Sequence, residues 1–315
     1  MPTEITAAAA GRWTLGDRTV HRLGFGTMRI TVHPDRDRAV RLLRRAVDLG
    51  IDHFDTAAFY VSPGGTLGVG TGPARYATEL IRAALVPYPE HLVVATKVGL
   101  RHDPALGVRE ETGPARLRAQ VEENLRRLGR DHLDLVNLRI VRRPPPDSVA
   151  ERFGALAELR DAGLIRHLGL SNARLDHLDE AQGIAPVVCV QNNYALDNRG
   201  DQDALIRECG ARGIAYVPYF ALAGLNREGG AHTDHDPPVR AVARAHHATP
   251  QQVRLAWTLH QGPHVLAIPG TGDPAHLVEN VAAGALRLTP DELAALDGPG
   301  RACSRLSPAS QRPVR

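Results

Sequence analysis

The chain is almost without lysine. Of its 38 Lys and Arg residues, one is a lysine, Lys97, and the rest are arginine. Cysteine is scarce as well. Cys189, Cys209 and Cys303 are odd in number and scattered, and no Cys-x-x-Cys pair occurs. That spacing supports neither a disulfide framework nor a zinc knuckle, and a reducing cytoplasm is the expected location. Long apolar runs are also missing. None approaches the ~18 residues that read as a membrane span, so no membrane partner is expected. Met1 to Gly11 carries an Ala run without a basic flank or a long apolar stretch, so it does not read as a signal peptide. Net charge is only +3, and the arginines alternate with Asp and Glu along amphipathic segments. This is the pattern of a solvated face and argues against nucleic acid as a partner.

What remains is a globular composition, 43% hydrophobic and 23% charged, sufficient for a sizeable core. Two short runs around Gly16-Asp17 predict a hairpin ahead of the main fold. Strand-like segments then alternate with helical ones. Leu23–Gly26 precedes a helix over 35–49, Ile51–Phe54 one over 73–85, and Leu92–Thr96 one over 114–128. Leu133–Leu138 precedes 148–162, Ile165–Leu170 precedes 175–182, and Val187–Val190 precedes 203–212. Ile214–Pro218 precedes helices over 239–246 and 250–260, and Val265–Ile268 precedes 275–283. Such alternation predicts a parallel sheet, and eight units without a long break predict an α/β fold of the (β/α)8 TIM-barrel type. A short N-terminal β-hairpin and extra C-terminal helices complete it. Gly50, Gly163 and Gly213 stand where helices should end, and Thr249-Pro250 where one should begin. No domain boundary is evident, so residues 1–315 read as one domain with a frayed tail over 299–315.

Barrel enzymes build their sites at the C-terminal ends of the strands. Here those ends carry Asp55 with Tyr60 close behind, Lys97, Arg139, Ser171-Asn172, Gln191-Asn192, Tyr219 and Pro269-Gly270-Thr271. Polar residues at strand ends are ordinary. Asp, Tyr and Lys grouped on adjacent units are less so. Carbonyl reduction needs a hydride and a proton, and a free phenol has a pKa near ~10. A neighbouring ammonium lowers it. Asp55 would hold Lys97, and Tyr60 would act as general acid. The plainer readings are a loop aromatic for Tyr60, a helix N-cap for Asp55, and for Lys97 a chance survivor in an arginine-biased chain.

Asp55-Thr56-Ala57-Ala58-Phe59-Tyr60, Ala95-Thr96-Lys97-Val98-Gly99, Gly169-Leu170-Ser171-Asn172 and Gln191-Asn192 together resemble the aldo-keto reductase family, over about residues 22–297. The resemblance implies a barrel that binds NADP(H), with NAD(H) not excluded, and that reduces a small-molecule aldehyde or ketone. It implies Tyr60 as acid, tuned by Asp55 and Lys97. It implies a nicotinamide held by Ser171, Asn172 and Gln191 under Tyr219, with Asp55, Phe220, Leu222 and Ile268 nearby. Gly26, Thr27 and Met28 would line the cleft, and Gly270, Thr271, His276, Glu279 and Asn280 the adenosine end.

The chain departs from that pattern in three places. Most members carry a histidine at the end of strand four, where this chain has Arg139. Arg139 either faces the substrate, favouring an anionic or electron-rich group, or turns outward to a loop carbonyl. Asn137-Leu138-Arg139, Cys189 to Asn192 and Ile268 to Thr271 resemble the pyridoxal reductase branch, whose substrate has an ionisable phenol beside its aldehyde. Gly270 and His276 replace the cations that often bind a 2′-phosphate, leaving backbone N–H groups at the Pro274 helix to receive one. The loop from Gly64 to Gly72 lacks the spacing of a phosphate loop and reads instead as a mobile cover beside Tyr60. Among the 15 histidines, His232, His235 and the pair His246-His247 suggest a metal, but no strand end carries a histidine, so none is expected. A rival is a regulatory protein that binds the nicotinamide cofactor with little turnover. Retention of Asp55, Tyr60 and Lys97 argues for an enzyme. The oligomeric state cannot be read from the sequence.

Overall fold

The computed structural model describes residues 4–65, 67–103, 107–141, 147–199, 201–222 and 235–298. The tail over 299–315, Cys303 and His232 lie outside them.

A hairpin comes first, β1 (Arg12–Leu15) antiparallel to β2 (Arg18–His21), turning at Gly16-Asp17 as expected. Then follow β3 (Phe25–Gly26), α1 (Arg36–Asp48), β4 (His53–Asp55), β5 (Val61–Ser62), β6 (Arg75–Tyr76) and α2 (Ala77–Leu85). Next come β7 (Val93–Val98), β8 (Leu100–Asp103), β9 (Gly107–Glu110), α3 (Pro114–Leu128), β10 (Leu133–Arg139) and α4 (Ala150–Asp161). The last part holds β11 (Ile165–Ser171), α5 (Leu175–Gln182), β12 (Val187–Gln191), α6 (Gln202–Ala211) and β13 (Ala215–Tyr216). Four helices close it, α7 (Pro237–Ala245), α8 (Pro250–Leu259), α9 (Pro274–Ala282) and the extra C-terminal α10 (Pro290–Asp297).

Seven parallel strands form one sheet in the order β13-β12-β11-β10-β7-β4-β3. The eighth expected strand, Val265–Ile268, makes single bridges instead of a ladder. Val265 bridges Tyr216, and Ala267 bridges Leu23. Leu266 N–H donates to Tyr216 O at 2.9 Å, and Gly24 N–H to Ala267 O at 2.8 Å, so this segment closes the barrel. Pro218 and Pro269 have no N–H to extend either ladder. The closure also needs two glycines. A Cβ on Gly26 would lie 2.6 Å from Ile268 O, and one on Gly270 would lie 2.4 Å from Gly26 O.

Strands buried on both faces explain the near-continuous apolar runs. One face meets the helices, as with Phe25, Phe54, Val136, Leu168 and Val190. The other fills the barrel interior with Val93, Ala95, Leu135, Cys189, Ala215, Val217 and Leu266. Leu15 and Val20 of the hairpin join this inner cluster and plug the foot of the barrel. Asp17 at the hairpin turn is held by Arg166 and by the His167 ring.

Helix ends follow their punctuation. Gly50, Gly163 and Gly213 have φ of 81°, 80° and 69°, the left-handed conformation expected after a helix. Thr249 caps α8 through the Gln252 N–H, with Pro250 at the first position. Two further features differ from expectation. Helix α2 begins at Ala77, not Pro73, because Arg75–Tyr76 pairs with Val61–Ser62. The hairpin β8–β9 does not announce itself in its polar sequence.

Candidate active site

Asp55 ends β4, and Lys97 stands one residue before the end of β7. Both project inside the barrel at its mouth, one step along from Val93 and Ala95. The Lys97 ammonium lies 2.7 Å from each carboxylate oxygen of Asp55 and donates to Thr56 O at 3.0 Å. The two side chains are 3% and 7% exposed. Lys97 Nζ is 4.8 Å from the centre of the Tyr60 ring. The Tyr60 backbone is fixed by Ala57 O on one side and Ala77 N–H on the other.

The electrostatics correct one expectation. Burial is the largest influence on the Tyr60 phenol and raises its pKa. The charge and hydrogen bond of Lys97 pull the other way, as does Arg139, while Asp55 adds to the rise. The net direction is up, although part of the Tyr60 ring reaches solvent. Lys97 therefore does not bring the phenol below its ordinary value in this enclosed site. It limits the rise. For Lys97 itself burial pulls the pKa down, but Asp55 and Tyr60 reverse this and the net shift is upward. At neutral pH the site holds a protonated phenol beside a protonated amine, with one carboxylate as counterion.

Around this trio stand the other strand ends. Arg139 donates to Ser171 Oγ at 3.0 Å, and its guanidinium carbon lies 4.9 Å from the centre of the Tyr219 ring. Arg139 thus turns along the barrel mouth, where its partner among the described residues is the Ser171 hydroxyl. Gln191 donates from Nε2 to Asp55 Oδ1 at 2.7 Å, while its Oε1 is buried without a partner among the described residues. Asn172 adopts φ 66°, donates to Ile140 O at 2.7 Å and accepts the Tyr219 hydroxyl at 3.5 Å. Asn192 bonds Ala173 and Gln202, which ties loops and leaves it outside the site. Tyr219, Phe220 and Leu222 are half-buried at the rim, with the two aromatic rings edge to face.

On the far side, Thr27 donates both N–H and hydroxyl to Asp55 O, each at 2.9 Å, so it braces the carboxylate strand. Gly26 and Gly270 lie back to back across the closing seam, beside Ile268. Met28 opens a 3-10 turn over Met28–Thr31. Thr271 accepts the Asp273 N–H at 3.0 Å. Asp273 caps α9, accepting the N–H groups of Ala275 and His276 at 2.7 and 3.4 Å. The helix end expected to receive a phosphate therefore already holds a carboxylate. His276 and Glu279 are exposed, and Asn280 is buried.

Two features escape a reading of the sequence. Asn137 is fully buried inside the barrel, and neither end of its amide has a partner among the described residues. Its signal is a lone amide within the apolar run from Leu135 to Leu138. The second is Arg75, 8% exposed, which donates to Thr31, Thr71, Pro73 and Val32 carbonyls at 2.8–3.2 Å. It pins the glycine-rich loop that by sequence reads as mobile. Among the described residues no three His, Cys, Asp or Glu side chains are placed to hold a metal ion. His235 is buried against Arg254, and His246 pairs with Glu292.

Comparison with known proteins shows the family and the fold. The sequence profile of the Aldo/keto reductase family matches residues 22–299. Pyridoxine 4-dehydrogenase of Escherichia coli (strain K12) is 40% identical over 303 residues, covering 93% of this chain and 99% of that enzyme. The fold matches a thermostable aldo-keto reductase solved with the inhibitor epalrestat, at a TM-score of 0.72 and 31% identity, covering 91% of this chain and 98% of that one. It also matches an aldo/keto reductase of Klebsiella pneumoniae solved with NADP and acetate, at 0.73 and 28%, covering 91% and 94%. With its one lysine clamped to a carboxylate at the mouth of a closed parallel barrel, the chain belongs to the aldo/keto reductase family of nicotinamide-dependent oxidoreductases.

Proposed function

We propose that this enzyme reduces an aldehyde to an alcohol with Tyr60 as the proton donor, and that pyridoxal, or pyridoxine in the reverse direction, is its substrate. The observation that carries the reading is the buried Asp55–Lys97 pair beneath the Tyr60 ring. The 40% identity to a pyridoxine 4-dehydrogenase supports the choice of substrate.

The residues present fit a nicotinamide. Gln191 Oε1 is a buried acceptor without a partner among the described residues, suited to a carboxamide N–H. Tyr219, Phe220 and Leu222 give it an apolar wall, and Ser171 and Asn172 frame the opposite side. Gly26, Thr27, Met28 and Ile268 line the approach, while Gly270, Thr271, His276, Glu279 and Asn280 border the distal part. A bound reduced nicotinamide supplies the hydride. Tyr60 hydrogen-bonds the carbonyl oxygen and gives up its proton as negative charge develops there. Lys97 stabilises the phenolate that remains, and Asp55 keeps the ammonium in place. Arg139 pairs with an anionic oxygen of the substrate, such as the phenolate beside the pyridoxal aldehyde. NADP(H) is the proposed cofactor, with NAD(H) also accepted, because the Asp273 carboxylate at α9 weakens any added phosphate site. The enzyme is proposed to work as one barrel domain in the cytoplasm.

Incubation with NADPH and pyridoxal should bleach the reduced-nicotinamide absorbance. No loss with pyridoxal or with any of a panel of aldehydes, ketones and sugars would end the reading. Arg139→His should reduce the preference for pyridoxal over a plain aromatic aldehyde about tenfold, the size of one charge-assisted contact. An unchanged preference would remove Arg139 from substrate recognition. Turnover with NADPH and NADH at equal concentration decides the cofactor.

A further inference from the structure

The glycine-rich stretch between Tyr60 and α2 is held at both ends, and the hold joins two parts of the molecule with separate tasks. Arg75 lies in β6, in register with Ser62 of β5, so it sits directly behind the segment that carries Tyr60. The residue is 8% exposed. Nε donates to Thr31 O at 2.9 Å and Nη2 to Val32 O at 3.2 Å, both at the end of the turn that begins at Met28. Nη1 donates to Thr71 O and Pro73 O, each at 2.8 Å, within the loop. One cation therefore gathers four carbonyls from two segments distant in sequence. Thr31 adds a direct link, its hydroxyl 2.8 Å from Ser62 Oγ. At the other end of the loop, the His102 ring meets Gly64 O at 3.0 Å.

All four of these acceptors are backbone carbonyls, and none is a carboxylate. The guanidinium thus serves geometry and not neutralisation. A planar fork can reach four acceptors in fixed directions, and an ammonium cannot. Gly70, at φ 103°, lets the loop pass between these groups. A Cβ there would lie 3.0 Å from Ser62 and 3.2 Å from Val32 O.

We propose that Arg75 is a positioning residue that locks the Met28–Val32 segment to the Tyr60 loop, making the loop a fixed wall of the substrate cleft. Cofactor-side and substrate-side backbone then keep one spacing, and the cleft is formed before substrate arrives. The functional consequence rests on Tyr60 being the proton donor. The lock itself does not.

Arg75→Lys and Arg75→Gln test this in the full-length protein. Backbone hydrogen exchange, followed by mass spectrometry, should rise at least tenfold in residues 28–32 and 68–74 together, with the barrel strands unchanged. In the same variants KM for the aldehyde should rise about tenfold and Kd for NADPH about fivefold, with kcat falling less than threefold. Exchange that rises in one segment only would overturn the lock. Coupled exchange with unchanged KM and Kd would overturn its role in shaping the cleft. A uniform rise in exchange with a large drop in Tm would reduce Arg75 to general stability and likewise overturn the proposal. Because exchange needs no substrate, its failure is separable from failure of the carbonyl-reductase reading.

Discussion

The two ends of the barrel are built from the same strands and the same inward face, yet they differ in kind. Followed two residues at a time, Val93 and Ala95 lead to Lys97, Leu135 and Asn137 lead to Arg139, Cys189 leads to Gln191, and Ala215 and Val217 lead to Tyr219. The foot is apolar and sealed by Leu15 and Val20 of the hairpin. The mouth is charged and hydrogen-bonded. At the foot, apolar area hidden from water contributes stability. The proposed chemistry is concentrated at the mouth, where a buried ion pair brings little net stability and is costly to break. Changes at the foot should therefore cost fold and spare turnover, and most changes at the mouth should do the reverse.

The sharpest challenge is Asp55→Asn, which leaves Lys97 buried without its counterion. Both properties should suffer here, stability by about 3–5 kcal/mol and turnover by at least a hundredfold, read by denaturant melts and steady-state kinetics. Tyr60→Phe comes next. It should lower kcat by ~10³, within the usual span for a lost general acid, while Tm stays within a degree or two. A Tyr60→Phe protein that turns over normally would erase the division between the two ends. At the foot, Leu15→Ala should cost roughly 2–3 kcal/mol as a large-to-small core change, with kcat within twofold of the parent.

The smallest effect concerns acid. His264, 1% exposed near the foot, shares a hydrogen bond with Ile206 O at 2.8 Å and meets the Trp13 ring edge on. Burial pushes its pKa down to about 4. The folded state thus prefers the neutral ring. Stability is full above the ordinary histidine value near 6.5 and declines as pH falls toward 4. His264→Phe should flatten that decline in thermal melts between pH 7 and pH 4. A decline of equal steepness would assign it to other groups.

Much of this is legible in the chain. Helices α3 and α5 span the residues expected of them, 114–128 and 175–182. The strand ends are readable because apolar runs stop abruptly at a polar residue. What stays hidden has physical causes. Two-residue strands such as Val61–Ser62 and Arg75–Tyr76 are too short to carry a period. The β8–β9 hairpin is mostly polar and nowhere more than half-buried, so alternation is weak. Arg75 looks like any other arginine in an arginine-rich chain, since four backbone carbonyls leave no sequence signature. The direction of the Tyr60 shift differs from the sequence expectation because spacing reveals a neighbouring charge but not the depth of burial, and burial is the larger influence.

The sole lysine has a practical side. Its side chain is 3% exposed and sits in a carboxylate's grip, so in the folded enzyme no side-chain amine is open to acylating reagents. Immobilisation, fluorescent tagging and cross-linking aimed at lysine should all leave the folded barrel unmodified at its side chains. Conversely, the first acyl group to appear at position 97 marks a molecule whose mouth has opened, which makes that one residue a built-in timer for the loss of the native state.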